Sequence, residues 1–404
     1  MTEFMNSFFH HLRHFTIPGA YPLDKSRMSI WWWQQGLSQP VIQLTLLVSA
    51  AGHQTAMNAL HNTSSWHSQQ SIKEYIRLQG TTLQVLNGLL QNPATAQSTV
   101  LIVASLRAVE AIEGNVQAAV AHTKGLDILI RLSGGLEVLE HMVLSKIYHG
   151  DVIRAALTNT TPALPLSSIW RNNVLQETKV FHSSCDLTMQ LDEKFKETAS
   201  CLSLLGTSFF SAPWYPGLED SMKRLLHMCQ RAIQYYEVAC LQPSIVMRTD
   251  NDLFLLVEHQ LMSVRYAPSA SASCTVSSLL NEPLRMTLFI YLNMRVWNFQ
   301  VFPVMQSMVN SLRQTLLSTI PIPTMTKIKQ MAPDVLFWIL FIGTLASRSH
   351  EGHSWFVAQL VELTSFLGIH DWKVAREILG GFFYTDQSDQ AAIEELWGQV
   401  IQLE

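Results

Sequence analysis

Charge is scarce in this sequence. Asp, Glu, Lys and Arg make up 14% of its 404 residues, where about 25% is ordinary. With 48% hydrophobic residues beside it, this rules out a disordered chain, which stays unfolded through high charge and low hydrophobicity. A basic excess is missing as well: 27 Lys and Arg stand against 31 Asp and Glu, a net charge of −4. Holding a phosphate backbone by counterion release needs a basic surface, so an autonomous nucleic-acid-binding domain is disfavoured. The five cysteines (Cys185, Cys201, Cys229, Cys240, Cys274) are odd in number, irregularly spaced and without a C-x-x-C pair. That pattern speaks against a disulfide frame or zinc site and for reduced thiols in a cytosolic or nuclear protein.

Long apolar runs are lacking too. Residues 41–51 and 335–345 fall short of the roughly 20 residues that cross a bilayer, so no membrane partner is expected. The stretch 284–305 is longer, but Arg285, Asn293, Arg295, Asn298 and Gln300 interrupt it at helical spacing. It reads as a buried helix with one polar edge. Residues 1–15 have no charged segment leading into an apolar one, and no secretory signal is expected. G-x-S-x-G, the phosphate-binding P-loop and G-x-G-x-x-G are all absent. No catalytic, cofactor-binding or metal-ligating residue is therefore assigned.

What is present is helical periodicity. Val100, Val103, Leu106, Ala108, Val109 and Ile112 define one apolar face over 99–114, and Gly114-Asn115 reads as a stop and a cap. A second helix is predicted over 116–132, ending at Gly134-Gly135, and a third from Leu136 towards Leu157. This rhythm predicts an all-α fold, a single large domain of stacked antiparallel helices over 1–404. Loops are predicted at 158–168, 176–184 and 320–333, and a flexible one at 268–278 (PSASASCTVSS). A softer seam is expected near 158–184. No fixed-period repeat emerges.

Several clusters invite a chemical reading and a plainer one. His10 and His14 share a helix face beside His11, but two imidazoles lack a third metal ligand, and a solvated N-terminal helix is preferred. Ser349-His350-Glu351-Gly352-His353 has its histidines three apart, not the four of a zinc protease helix, and reads as a polar loop. Cys229 follows His227 by two residues, on nearly opposite helix faces, so an inert thiol is expected. Glu110 with Glu113 and Glu394 with Glu395 read as solvated helix faces rather than acid/base pairs. Of Trp31-Trp32-Trp33, one or two indoles should anchor a helix, leaving another for a groove or partner. Phe382-Phe383-Tyr384 and the acidic tail after Arg376 suggest an interaction surface. The preferred account of the tail is an amphipathic helix docked on the core.

The order of the breaks resembles the regulatory region of fungal zinc-cluster transcription factors. Glu110-Ala111-Ile112-Glu113-Gly114-Asn115, then Ala119, His122, Gly125-Leu126 and Gly134-Gly135 are similar to that family's "E…GN…A..H..GL…GG" segment. Asp151, Ala155 and Pro162-Ala163-Leu164-Pro165 continue it. Ala50-Ala51-Gly52-His53 upstream, and Leu336 to Gly343, Trp355-Phe356, Leu367-Gly368 and Leu396-Trp397 downstream, resemble its opening and closing helices. The family normally carries six N-terminal cysteines holding two zinc ions, followed by a basic linker. Here the first cysteine is Cys185. The resemblance thus implies the regulatory half without the DNA-reading half, so zinc and base-contacting arginines are not carried over. Expected from it are a nuclear transcriptional regulator acting through protein contacts, controlling a metabolic or secondary-metabolite pathway, with a DNA-binding transcription factor or coregulator as partner. Little direct DNA binding is expected, and homo- or heterodimers are compatible with it. The alternatives are a small-metabolite sensor or coregulator, a DNA-binding activator whose zinc cluster precedes this sequence, or a cytoplasmic location. Gly114, Gly134 and Gly135 are expected to serve helix ends, His122 a hydrogen-bonded core, and Asp151 a cap or pair.

Overall fold

Apolar residues recurring every three to four positions produce helices along nearly the whole chain. The computed structural model describes residues 3–60, 66–91, 97–178, 180–181, 187–188, 191–247, 250–266, 275–297, 299, 302–318, 324–385 and 390–403. The described residues are 82% helical, with no strand among them, so the fold is all-α. No described helix is long and apolar enough to cross a membrane.

In chain order the first helices are α1 (Glu3–His11), α2 (Ile17–Ala20), α3 (Lys25–Ser38), α4 (Pro40–Leu60) and α5 (Trp66–Leu90). Then come α6 (Gln97–Ile112), α7 (Val116–Leu132), α8 (His141–Leu157), α9 (Ser168–Thr178) and α10 (Lys196–Leu204). The next five are α11 (Thr207–Ser211), α12 (Asp220–Leu241), α13 (Asp250–Ser263), α14 (Val276–Arg295) and α15 (Pro303–Leu317). The last are α16 (Thr324–Met331), α17 (Pro333–Ser347), α18 (His353–Leu367), α19 (Trp372–Gly381) and α20 (Gln390–Leu403).

The chain forms two compact units. The first comprises Met1–Thr178, Val246–His259 and Val301–Val304; the second comprises Lys179–Ile245, Gln260–Gln300 and Met305–Glu404.

In the first unit α6 packs on α4, α7 and α8, and every residue from Thr99 to Ala111 is buried. Gly114 turns the chain with φ +79°, against Pro303, which would lie 3.0 Å from an added Cβ. Asn115 then caps α7, its side chain accepting from the Ala118 N–H at 3.3 Å. The third expected helix starts later than Leu136: residues 136–138 make one separate tight turn, and α8 begins at His141. At the end of α8 the buried Asp151 organises the Pro-containing stop. Its Oδ2 accepts from the backbone N–H groups of Ala163 and Leu164 at 2.7 and 2.9 Å, and its Oδ1 from Arg154 Nε at 3.0 Å.

In the second unit α17 is the all-buried helix, from Val335 to Ser347. It packs on α14 and α18. Gly343 permits the α18 approach, since a Cβ there would lie 2.4 Å from the Phe356 ring. Trp338 donates its indole N–H to the Phe383 carbonyl at 2.9 Å, and Phe209 sets its ring edge against Trp338 and Phe382.

Four further expectations from the sequence need correction. The helix expected over 284–305 instead runs from Val276 to Arg295 and carries Pro283 inside it; α15 is a new helix. Of the loop expected at 268–278, residues 268–274 lie outside the described residues. Thr275 is an N-cap and 276–278 open α14. In 320–333 a helix forms at Thr324–Met331, because Pro333 lies beyond its end and Pro321 and Pro323 precede it. Proline at a helix boundary leaves the interior hydrogen bonds intact. Likewise 176–178 are helical and close α9.

Candidate functional site

The second unit holds a ligand-sized cleft, and its shape follows from two glycine contacts. Gly206 opens α11 in the left-handed region at φ +79°, donating its N–H to the Phe382 carbonyl at 2.9 Å. A Cβ there would lie 2.6 Å from the Phe383 ring, so only glycine lets the 382–385 segment lie against α11. Asp371 caps α19, accepting from the Lys373 N–H at 3.1 Å. α19 ends at Gly381, where a Cβ would meet Ser208 Oγ at 2.1 Å. Between α10, α19 and the 382–385 segment remains a cleft of about 530 Å³. That lies within the roughly 300–1,000 Å³ of small-molecule sites.

Leu202, Leu205, Tyr384 and Thr385, all buried, line its inner part, and the exposed Glu197 and Arg376 line its mouth. Thr385 also donates from Oγ1 to Glu237 Oε1 at 2.9 Å. Glu237 is fully buried and takes both Arg295 Nε and Nη2 at 2.7 Å. The cleft floor is thus tied to a bidentate ion pair. No histidine lines the cleft. The arrangement provides apolar contact and a few polar anchors.

Of the other cysteines Cys229 is buried and Cys240 is exposed, and Cys185 and Cys274 lie outside the described residues. No group of three or more His, Cys, Asp or Glu suited to a metal exists among the described residues.

The histidine cluster divides. His10 and His14 are exposed with their rings 4.4 Å apart. His11 turns inward, its Nε2 2.8 Å from His53 Nδ1 on α4. Burial, and then His10, pull His11 down to about 4; burial, and then His11, do the same to His53. Both rings are therefore neutral near pH 7, and one of them donates its N–H to the other across this contact.

Glu110 and Glu113 are not a solvated face. Glu110 is buried and accepts from Gln79 Nε2 and Asn115 Nδ2, each at 2.7 Å. Glu113 accepts from the Tyr75 hydroxyl at 2.8 Å. Burial, despite that bond, pushes Glu113 up to about 6, with Glu110 adding to the rise. The partners of this acid pair among the described residues are neutral, and Glu110 stands on a helix that is buried from Thr99 to Ala111.

The remaining clusters are structural. Ser349 to Gly352 form the turn before α18, with His353 Nδ1 3.2 Å from Ser347 Oγ. Glu395 is exposed and pairs with Arg348, while Ile393, Leu396, Trp397 and Val400 bury the inner face of α20. The tail is an amphipathic helix packed on α17 and α18. Phe382, Phe383 and Tyr384 are core residues, not a surface. Trp32 is buried and donates to the Tyr21 hydroxyl at 3.3 Å; Trp31 and Trp33 are half-buried, Trp33 stacking on Phe9. His122 is half-buried, and burial with the nearby Arg107 lowers its pKa.

No family model, curated protein or solved structure matches the chain.

Proposed function

We propose that this chain is a fungal transcriptional regulator that acts through protein contacts and takes a small, mostly apolar metabolite in the cleft of its second unit. The cleft carries the ligand-binding part of the reading: it has the volume of a small-molecule site and apolar inner walls beside a few polar anchors. The regulatory part rests on the ordered motif residues. Their observed roles, left-handed φ at Gly114, Gly134 and Gly135 and a capping carboxylate at Asp151, support an architecture and not an active site. A nuclear site of action, control of a metabolic or secondary-metabolite pathway, and a DNA-binding transcription factor or coregulator as partner belong to the same proposal. The second reading, a metabolite-binding coregulator without DNA affinity of its own, shares the cleft and the net charge of −4.

The test uses Gly380 on the cleft wall, where a Cβ would meet nothing within 4 Å. G380F fills the space without touching the core. Native mass spectrometry of chain purified from its own host should show a small bound molecule that G380F lacks. Pulldown from that host should recover a DNA-binding protein or coregulator, and deletion should change expression of a defined gene set. A wild-type chain that carries no ligand refutes the sensing part. Deletion without any expression change refutes the regulatory part.

A further inference from the structure

Charge does not balance around Arg107 in the first unit. α6 carries this arginine to a position with no exposed surface. Its guanidinium lies over Gly150 of α8, where a Cβ would sit 3.0 Å from Nη2 and 3.1 Å from Nε. Nη2 donates to the Ile147 carbonyl, while Nε and Nη1 have no acceptor among the described residues. The carboxylate within electrostatic reach is Asp151. Both of its oxygens are already engaged, one by Arg154 and the other by the backbone of Ala163 and Leu164.

A second cation adds to the imbalance. Lys146, one turn before Gly150 on α8, is half-buried, with Nζ 5.9 Å above the Trp32 ring. No carboxylate among the described residues pairs with it; it feels the charge of Arg107, and His149 feels that of Lys146. His149 on α8 and His122 on α7 are half-buried and within reach of Arg107. Burial, opposed by Asp151 and aided by Arg154, pulls Arg107 down to about 10; burial and Arg107 pull Lys146 to about 8; burial, Lys146 and Arg107 pull His149 to about 3. An unpaired charge in the interior is among the most unfavourable arrangements in a fold, and a bound anion supplies both the missing charge and the missing acceptors.

We propose that Arg107 and Lys146, flanked by His149 and His122, form a binding site for a small oxyanion, the carboxylate or phosphate group of a metabolite. Arg107 offers two N–H donors and Lys146 a mobile ammonium. Trp32 places an aromatic ring beside whatever body the anion carries. The half-buried Lys146 and His149 mark the side from which the anion enters. This site lies wholly in the first unit and does not depend on the cleft reading above.

Thermal unfolding and calorimetric titration of the full chain at pH 7.5 test it. The probes are inorganic phosphate and succinate, each against sodium chloride at matched ionic strength. The expected result is saturable binding of at least one probe, with a Tm that rises with the logarithm of its concentration. K146M should weaken that binding about tenfold and R107M should abolish it. A response to phosphate alone assigns a phosphate group, and one to succinate alone a carboxylate. R107M removes an unpaired buried charge and is expected to fold; should it not, K146M at its half-buried position decides. A wild-type chain that responds to neither probe beyond the chloride control overturns the proposal, as does wild-type affinity in K146M.

Discussion

Truncating Arg295 to methionine is expected to damage the second unit more than removing Arg295 and Glu237 together. Glu237 has no exposed side-chain surface, and Arg295 retains 14%. The pair is joined by two bonds of 2.7 Å. R295M strands a buried carboxylate with the Thr385 hydroxyl, at 2.9 Å, as its remaining partner shown here, which costs about 3–5 kcal/mol. E237M alone is milder, because the arginine keeps its partial exposure and its place 5.0 Å over the Tyr236 ring; about 2 kcal/mol is expected. In E237M/R295M both charges are gone and two thioethers fill similar volume, leaving the Thr385 hydroxyl without that acceptor. The double variant should lose only about 1–2 kcal/mol. Urea unfolding followed by far-UV circular dichroism measures the cycle, and hydrogen exchange along α12 and α14 places the loss in the second unit. An R295M variant within 1 kcal/mol of wild type refutes the reasoning. So does a double variant as unstable as R295M, since either result means the two charges are not coupled in the folded state.

Three further outcomes are expected. Acidification from pH 6.5 to 4 should destabilise the first unit. His11 and His53, each held near 4 by burial, bind a proton more readily when unfolded. Their contribution is full above the ordinary histidine value of about 6.5 and is lost as pH falls towards 4. His149, held near 3, adds to this loss; Glu113, pushed up to about 6, acts with the opposite sign over roughly pH 4.5–6, but it is one smaller shift against three larger ones. A wild-type Tm that stays flat from pH 6.5 to 4.5, or an equally steep loss in H11Q/H53Q, contradicts this. D151A should cost about 3–5 kcal/mol by removing the acceptor of the part-buried Ala163 and buried Leu164 N–H groups and the partner of Arg154. Hydrogen exchange of Ala163 and Leu164 should then approach that of open loop, and retained protection there counts against the assigned role. G343A should cost about 1–3 kcal/mol through the clash with Phe356, and an unchanged Tm means that α18 can shift away.

Much of the fold could be read from sequence where local rules decide it. The 116–132 helix was bounded by an Asn cap and a Gly pair, and α7 has those limits. Gly114, Gly134 and Gly135 take positive φ because a helix end demands it. The same rules failed where neighbours decide. Pro283 lies inside α14, and nothing in the adjacent residues announces that tertiary packing will carry a helix through it. Glu110 reads from the sequence as part of a solvated helix face, yet α6 is buried on every side from Thr99 to Ala111. The cleft depends on Gly206 touching Phe383 and Gly381 touching Ser208, residues well over a hundred positions apart, which no local spacing records.

Enclosure gives α6 a mechanical and an evolutionary consequence. A helix with one solvent face can slide or rotate slightly and let its outer residues drift. From Thr99 to Ala111 α6 has no such face, and it bears on α4, α7 and α8 together. It behaves as an axle: any displacement at its Arg107 turn must be shared by three neighbours. Substitutions along it must therefore come in compensating sets, so this stretch should change in descendants as a block, without the three-to-four-residue rhythm by which its helical character was first recognised.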